Sequence, residues 1–375
     1  MNRLLSRLAA VLPARIDGRV RLLAWASLVV QIILVGTGGA VRLTGSGLGC
    51  PTWPQCTAGS FVSTPEMGVH GIIEFTNRLL TFVIVIIAIL VFVAVLRMRR
   101  ERRDLFVLTL LQGLSIPLQA VIGGITVLTG LNPYIVGVHF VISIGLVVVT
   151  TMLVYRVYFG PRSALGIARA EAGAVDARSS ALVASLLPSG RDRASASRTG
   201  VGTAVAAEGA GLSLVVPIWY LRISQVTAVF VGLTVIMGIL TTGSGPHAGD
   251  ANTPRNGLNT DVMEHIHSYP AYATFALTLV LVIVALALRL PRRWPVTLLI
   301  IEVVQIAVGL TQSRLGLPPA LVVAHMILAA TLVAAMTATL LAQRSRATAP
   351  FTSADSAAPF ASTSGKSIDF PQNVA

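Results

Sequence analysis

The sequence predicts an all-α integral membrane protein whose eight transmembrane helices form two pseudo-symmetric four-helix bundles. Of its 375 residues, 54% are hydrophobic and 11% are charged, and the mean hydropathy is +0.79. Soluble domains contain roughly a quarter charged residues, so this composition excludes an ordinary soluble protein. Eight apolar runs are long enough to cross a bilayer, which takes about 20 helical residues. The runs are continuous rather than alternating, which disfavours a β-barrel.

The apolar runs fall into two groups of four and set the predicted domain boundaries. We predict a cytoplasmic N-terminal arm over residues 1–21, the first bundle over 22–159 and the second bundle over 218–343. Residues 160–217 are rich in Ala, Ser, Gly and Arg, which predicts a flexible cytoplasmic linker. The Ser-, Thr-, Ala- and Pro-rich residues 344–375 predict a disordered cytoplasmic tail. The runs begin near Leu22, Ile72, Leu105, Tyr134, Ile223, Val262, Pro295 and Pro318.

The formal net charge is +13, and the basic residues are almost all arginines, most of which cluster in the N-terminal arm and near the ends of the apolar runs. With eight spans, the main arginine clusters fall on one side of the membrane, which the positive-inside rule makes cytoplasmic. Both termini are therefore predicted to be cytoplasmic, and the charge does not point to nucleic acid as a partner. The first apolar run is too long for a cleaved signal peptide and is predicted to remain as an anchor.

The two halves share an internal repeat that ends in a histidine. The first copy reads LQAVIGGITVLTGLNPYIVGVH and the second reads VQIAVGLTQSRLGLPPALVVAH. An even number of spans in each half predicts parallel repeats. A histidine inside a membrane is costly without a partner and marks a functional site by default. The identities at an offset of 186 positions include Gln119/Gln305, Gly123/Gly309, Leu131/Leu317, Pro133/Pro319 and His139/His325.

A second pair of matching segments opens the second and sixth spans. IEFTNR at residues 73–78 aligns with MEHIHS at residues 263–268, which pairs Glu74 with Glu264 and Asn77 with His267. His267 and His325 then lie at similar depths on two helices of one bundle, as cofactor ligands do in four-helix bundles. We predict that they bind one haem iron. The alternative is that both are structural histidines bonded to polar neighbours.

The first half lacks the second histidine. Asn77 stands where His267 stands, and an amide is a poor iron ligand, so His139 is predicted to be the one strong ligand there. His70, Glu74 and Asn77 share one helix face, which places a histidine and a carboxylate beside the cofactor. An open axial position near a carboxylate suits chemistry on a bound molecule. His70 is either a replacement ligand or a solvated residue at the start of the helix.

Two further groups of residues lie on the side predicted to face outward. Cys50 and Cys56 belong to the loop CPTWPQC, and an even pair outside the cytoplasm indicates a disulfide. That disulfide is either a loop staple or a reducible functional pair. Arg42, Arg78 and Arg314 either hold haem propionates or anchor the helices at the membrane interface.

These motifs together resemble those of the haem A synthase family, membrane enzymes that convert haem O to haem A. The resemblance rests on the TGSGLGCP…C loop, the I-E-x-x-[HN]-R signature at residues 73–78, and the segments ending at His139 and His325. It covers nearly all of the helical part. Many members have a histidine where Asn77 stands, and many bacterial members carry a cysteine pair in each half. Here the segment after Ser244 has no cysteine.

The resemblance implies a haem b cofactor held in the second bundle by His267 and His325. It implies haem O as the substrate in the first bundle, with His139 on the iron side and Glu74 taking part in the chemistry. The implied pocket also includes His70, Asn77 and Arg78. The implied reaction is two successive hydroxylations of one porphyrin methyl, after which loss of water gives a formyl group.

The resemblance also implies a setting for the protein. It implies a multi-pass protein surrounded by lipid in the bacterial cell (inner) membrane. Haem O synthase is the implied supplier of substrate, and cytochrome oxidase assembly is the implied destination of the product. The electron donor and a homo-oligomer are left open.

Two other classes of protein stay open at this point. A dihaem cytochrome b that carries electrons, for example to quinone, predicts two bis-histidine sites without porphyrin chemistry. A transporter built on parallel repeats predicts a protein without cofactor whose membrane histidines relay protons.

Overall fold

The computed structural model describes residues 12–159, 212–247, 249–250 and 252–346. This part of the chain contains eight helices that are long and apolar enough to cross a membrane, as predicted. The protein is therefore a multi-pass membrane protein. The helices are α1 (Gly18–Leu43), α2 (Gly68–Leu96), α3 (Arg103–Leu128), α4 (Pro133–Phe159), α5 (Ile218–Ser244), α6 (Thr260–Ala287), α7 (Arg293–Arg314) and α8 (Pro319–Ala342). The predicted arm up to residue 11, most of the linker and the tail after residue 346 lie outside the described residues.

Local signals explain where the repeated helices end and begin. After α3 and after α7 the chain turns through residues with positive φ, Gly130 and Leu131 in the first half and Gly316 and Leu317 in the second. The amide of the leucine closes each turn, and Leu131 N donates to Thr126 O at 2.7 Å. A proline then opens the next helix, where its fixed φ is favourable and no amide is needed. The Gly-Leu and proline identities of the repeat therefore specify one turn that occurs twice.

The helices of each half contact one another in the same cyclic order. In the first half α1 packs on α2, α2 on α3, α3 on α4, and α4 returns to α1. In the second half the same ring runs from α5 through α6 and α7 to α8 and back to α5. The halves meet where α8 packs on α1 and α4, and where α4 packs on α5. The pseudo-twofold relation between the two rings stays a prediction.

Small residues bring α1 close to α8. A Cβ at Gly36 would lie 2.6 Å from Ile327 Cγ1, and a Cβ at Gly39 would lie 2.5 Å from Met326 Sδ. Glycines three residues apart lie on one helix face and allow membrane helices to approach closely. Met326 and Ile327 directly follow His325, so this contact fixes α8 next to a predicted ligand.

Hydrogen bonds join the two halves at the end where α1 ends and α2 begins, called the outer end below. Arg42 Nε donates to His247 O at 2.7 Å, and Arg42 Nη2 donates to Thr242 O at 3.0 Å. Gly47 N donates to Gly249 O at 2.8 Å. Burial and the nearby cations Arg42 and Arg255 lower the pKa of His247 below its usual value, so it is neutral at pH 7. The glycine-rich turns of the two halves thus form one joined surface.

Short polar contacts close the opposite end. Strand β1 (Leu212–Leu214) pairs antiparallel with strand β2 (Arg344–Arg346), so the last residues before α5 meet the first residues after α8. Asp104 accepts two hydrogen bonds from Arg102, both at 3.0 Å, and lies 3.9 Å from Arg156 on α4. These contacts tie the helix ends to one another where the sequence places most arginines.

Candidate functional site

The repeated glutamine holds the repeated histidine in each bundle. Gln119 Nε2 on α3 donates to His139 O on α4 at 3.2 Å. Gln305 Nε2 on α7 donates to His325 O on α8 at 3.1 Å. In both halves the hydrogen bond joins neighbouring helices at the residue that carries the imidazole. The Gln and His identities of the repeat therefore describe one local structure present twice.

The repeated glycine makes room for the imidazole. A Cβ at Gly123 would lie 3.3 Å from His139 Cε1, and a Cβ at Gly309 would lie 3.1 Å from His325 Cε1. The Nδ1 atoms of both histidines are buried and have no hydrogen-bond partner among the described residues. Buried polar atoms normally have a hydrogen-bond partner. The absence of such a partner here is expected of histidines that bind a ligand rather than another side chain.

In the second bundle the two predicted ligands face each other. The ring centres of His267 and His325 are 6.4 Å apart and their planes are inclined by 70°. A metal between two imidazoles has bonds of about 2 Å on each side, which gives roughly 6 Å between ring centres. The spacing of the two rings therefore fits one six-coordinate iron in a haem.

The backbone of α5 orients His267 from behind. His267 Nδ1 lies 3.0 Å from Thr234 O, so it is assigned as the protonated nitrogen that donates to that carbonyl. This leaves the unprotonated Nε2 for a metal, as carbonyl-bound histidine ligands do. A Cβ at Gly238 would lie 3.0 Å from His267 Cε1, so α5 also needs a glycine beside the ring. Sequence reasoning did not identify Thr234 or Gly238, because α5 carries no matching motif at these positions.

The first bundle has a different set of groups at this depth. Asn77 Oδ1 accepts a hydrogen bond from Thr37 Oγ1 at 2.8 Å, so its oxygen is already engaged. His70 is exposed at the start of α2, and its Nδ1 lies 2.9 Å from Ser46 Oγ in the TGSG turn. His139 is therefore the one half-buried imidazole that the described residues of this bundle provide.

Glu74 is buried and fully bonded. Its side chain is on α2, and the residue is 5% exposed. Oε2 accepts the amide of Cys50 at 2.7 Å, and Oε1 accepts Arg78 Nη2 at 2.5 Å and Nε at 3.1 Å. Every one of these partners is a donor, which is the environment of an ionised carboxylate.

The matching positions of the second bundle are built differently. Glu264 accepts a hydrogen bond from the exposed Ser313 at 3.2 Å, and Ser268 stands where Arg78 stands in the first half. No disulfide occurs among the described residues of the second half, whereas Cys50 and Cys56 form one in the first. The carboxylate–arginine pair and the disulfide loop thus belong to the first bundle.

The arginines predicted to meet propionates have separate roles in the structure. Arg42 joins the two halves, and Arg78 pairs with Glu74 and with loop carbonyls. Arg314 is exposed at the end of α7. Their use as propionate ligands stays a prediction, and Arg314 has the most accessible side chain of the three.

One buried carboxylate was not identified from the sequence. Glu302 on α7 is 3% exposed; its Oε1 accepts Thr278 Oγ1 from α6 at 2.8 Å, and its Oε2 has no partner among the described residues. The sequence does indicate this residue, since Glu302 is an ionisable residue within the apolar run LLIIEVVQ of a membrane helix. The internal repeat does not include it, because Ile116 occupies the equivalent position of the first half.

Comparison with known proteins agrees with this architecture. The family model described as cytochrome oxidase assembly protein matches residues 21–337, which is most of the chain and includes both bundles. The chain belongs to the cytochrome oxidase assembly protein family. The matched range contains all the histidines, the Glu74–Arg78 pair and the disulfide loop, so the family covers both candidate sites.

Individual members of this family are more distant. The chain is 32% identical over 119 residues to heme A synthase of Listeria welshimeri, which covers 32% of this chain and 39% of that protein. It is 35% identical over 121 residues to heme A synthase of Bacillus pumilus, covering 31% and 37%. With heme A synthase of Lysinibacillus sphaericus it shares 35% over 147 residues, covering 36% and 46%. The chain thus matches less than half the length of these curated relatives.

Proposed function

We propose that the protein is a haem A synthase, which oxidises one methyl group of haem O to a formyl group by successive hydroxylations. The observation that carries the proposal is the difference between two bundles with one plan. Among the residues that the structure describes there, the second bundle has two facing histidines and no carboxylate–arginine pair. The first bundle has one half-buried histidine, together with Glu74, Arg78 and a disulfide loop. Two histidines in the second bundle could fill both ligand positions of an electron-transfer haem. A single histidine in the first bundle would leave one position open for chemistry on a substrate haem.

His267 and His325 would hold a resident haem b in the second bundle. A bis-histidine haem supplies one-electron transfer when bound. The spacing of the rings and the unpartnered Nδ1 of His325 support this assignment. Thr234 O keeps the His267 ring in the tautomer that presents Nε2, and Gln305 fixes the backbone of His325.

His139 would bind the substrate in the first bundle, and Asn77 would leave the other side of the pocket without a strong ligand. Glu74 accepts three hydrogen bonds and has no proton to donate in this arrangement. Stabilising positive charge that develops on the substrate is therefore the role that fits Glu74 better than proton donation. We further propose the bacterial cell (inner) membrane as the location, with cytoplasmic termini, and haem O synthase as the supplier.

The test is expression with a source of haem O, followed by extraction and chromatography of the pigments. We expect haem A from the wild type. From Glu74→Gln we expect a yield lower by about 100-fold or more, since loss of an electrostatic interaction that stabilises a transition state costs about that much. Haem b should be retained in Glu74→Gln. Bound haem b with unchanged haem O in the wild type would instead support the dihaem electron carrier, and a colourless protein would support the transporter.

A further inference from the structure

The disulfide loop lies across the outer mouth of the first bundle. Gly49 packs so closely on the backbone of His70 and Gly71 that a side chain there would overlap the carbonyl of His70. The amide of Cys50 donates to Glu74 at 2.7 Å. The loop is therefore attached to the first turns of α2 before it crosses the bundle.

Arg78 fixes the rest of the loop. Its Nη2 donates to Cys50 O at 3.0 Å, and its Nη1 donates to Thr52 O and Gln55 O, both at 3.2 Å. The same guanidinium pairs with Glu74. One planar group with five donors thus connects the carboxylate to three carbonyls of the loop, a geometry that lysine cannot reproduce.

The crossing ends at Trp53, which packs on α3. A Cβ at Gly124 would lie 2.6 Å from Trp53 Cε2, so the indole rests directly on the glycine backbone. The preceding residue, Gly123, faces His139. Gly124 is four residues before the end of α3 and His139 six residues after the start of α4, which places them about 6 and 9 Å below the outer end. The indole therefore lies close to the depth of the candidate ligand.

Trp53 still has a free surface. It is 37% exposed although one side of it covers Gly124. A porphyrin is a flat apolar plate, and aromatic side chains bind such plates by stacked or edge contacts. The second bundle has no equivalent loop among its described residues, since Ser268 replaces Arg78 and the segment after α5 contains no tryptophan.

We propose that Trp53 is a substrate-positioning residue of the first bundle, and that Arg78 acts through the disulfide loop to place it. The inference rests on the proposed function, because the ligand it positions is haem O. Arg78 is then a residue that orders the pocket wall rather than a propionate ligand. The indole limits how the porphyrin turns about the His139 axis and so helps to select the methyl that reacts.

The experiment measures haem O binding by optical titration of purified protein, and haem b content in the same samples. We expect Trp53→Ala to weaken haem O binding on the order of 10-fold and Trp53→Phe to restore most of it, since a phenyl ring keeps the aromatic contact. Haem b should be unchanged in both. Trp219→Ala, at an exposed tryptophan of α5, is the matched control and should bind haem O like the wild type.

A double variant tests the link between the two residues. If Arg78 positions Trp53, then Arg78→Gln combined with Trp53→Ala binds haem O no more weakly than Arg78→Gln alone. The inference is overturned if Trp53→Ala binds haem O with unchanged affinity, or if the losses of affinity in the double variant are additive. Haem A formation by the wild type would leave the proposed function intact in either case. A wild type that binds no haem, or makes no haem A, instead overturns the proposed function.

Discussion

At the scale of single residues, the two bundles differ at a few side chains on a shared backbone plan. Asn77 and His267 occupy aligned positions. The amide of Asn77 is hydrogen-bonded to Thr37, whereas the imidazole of His267 faces His325. Arg78 and Ser268 form a second such pair. These exchanges, rather than a change of fold, separate a site with two facing imidazoles from one with a single half-buried imidazole.

Removal of either facing histidine should abolish the haem of the second bundle. We expect His267→Ala and His325→Ala each to lose that haem, because a single remaining imidazole would hold the iron more weakly than two. The measurement is the haem b content per protein from the pyridine haemochrome spectrum. His265→Ala is the matched control, since His265 is exposed on the same helix and should leave haem b unchanged. Normal haem b in both single variants would contradict the assignment.

The Thr278–Glu302 hydrogen bond should contribute to stability. Thr278→Val removes the donor to a buried carboxyl oxygen, and a buried polar atom left without a partner costs about 1–3 kcal/mol. We expect the free energy of unfolding in detergent to fall by that amount. Thr297→Val is the control, because Thr297 is only partly buried on α7 and bonds the backbone of its own helix. Equal losses in the two variants would show that Glu302 gains nothing specific from Thr278.

At the scale of the helix, glycines set the space beside each imidazole. A Cβ at Gly238, Gly309 or Gly123 would come within 3.0 to 3.3 Å of a histidine Cε1, so the ring has to move by a few tenths of an ångström. We expect Gly238→Ala to tilt His267 and shift the electron paramagnetic resonance signal of the oxidised haem without loss of the haem. Gly232→Ala, on the same helix with open space around it, should leave the signal unchanged. Identical spectra for both variants would contradict a role for Gly238 in holding the ring.

The helices could be predicted from the sequence, but many of the contacts between residues of different helices could not. Long continuous apolar runs predicted all eight helices, and the repeat predicted the Gln, Gly and His positions that the structure brings together. Thr234 and Gly238 were missed because their contacts with His267 come from a helix without a motif. The packing of Trp53 was not predicted because it depends on Gly124, which lies 71 positions away in sequence.

At the scale of the whole molecule, the bundles form one packed unit. The α1–α8 contact joins the helix that carries Thr37 to the helix that carries His325, and Arg42 joins the outer loops. The two proposed sites therefore lie in halves that pack directly on each other, as the proposed electron transfer between them requires. Docking of the halves is therefore part of the proposed activity.

Disturbing that interface should lower stability. A Cβ at Gly36 would lie 2.6 Å from Ile327, so Gly36→Leu forces the bundles apart at a cost of about 1–3 kcal/mol or more. We expect a lower midpoint of thermal unfolding in detergent. Gly38→Leu, where no atom lies within 4 Å of an added Cβ, is the control on the same helix. An unchanged midpoint in Gly36→Leu would show that the α1–α8 contact contributes little to stability.

The amino-acid sequence alone determined the class of protein, the number of spans and the repeated histidines, because burial of backbone in lipid demands long apolar helices and leaves few polar residues to consider. Tertiary structure decided which of those polar residues meet. In the structure His267 faces His325, and Trp53 packs on α3. Glu74 accepts hydrogen bonds from Arg78 and from the amide of Cys50. These are contacts between helices or between a loop and a helix, and their geometry depends on how the helices pack, which periodicity along one chain does not specify.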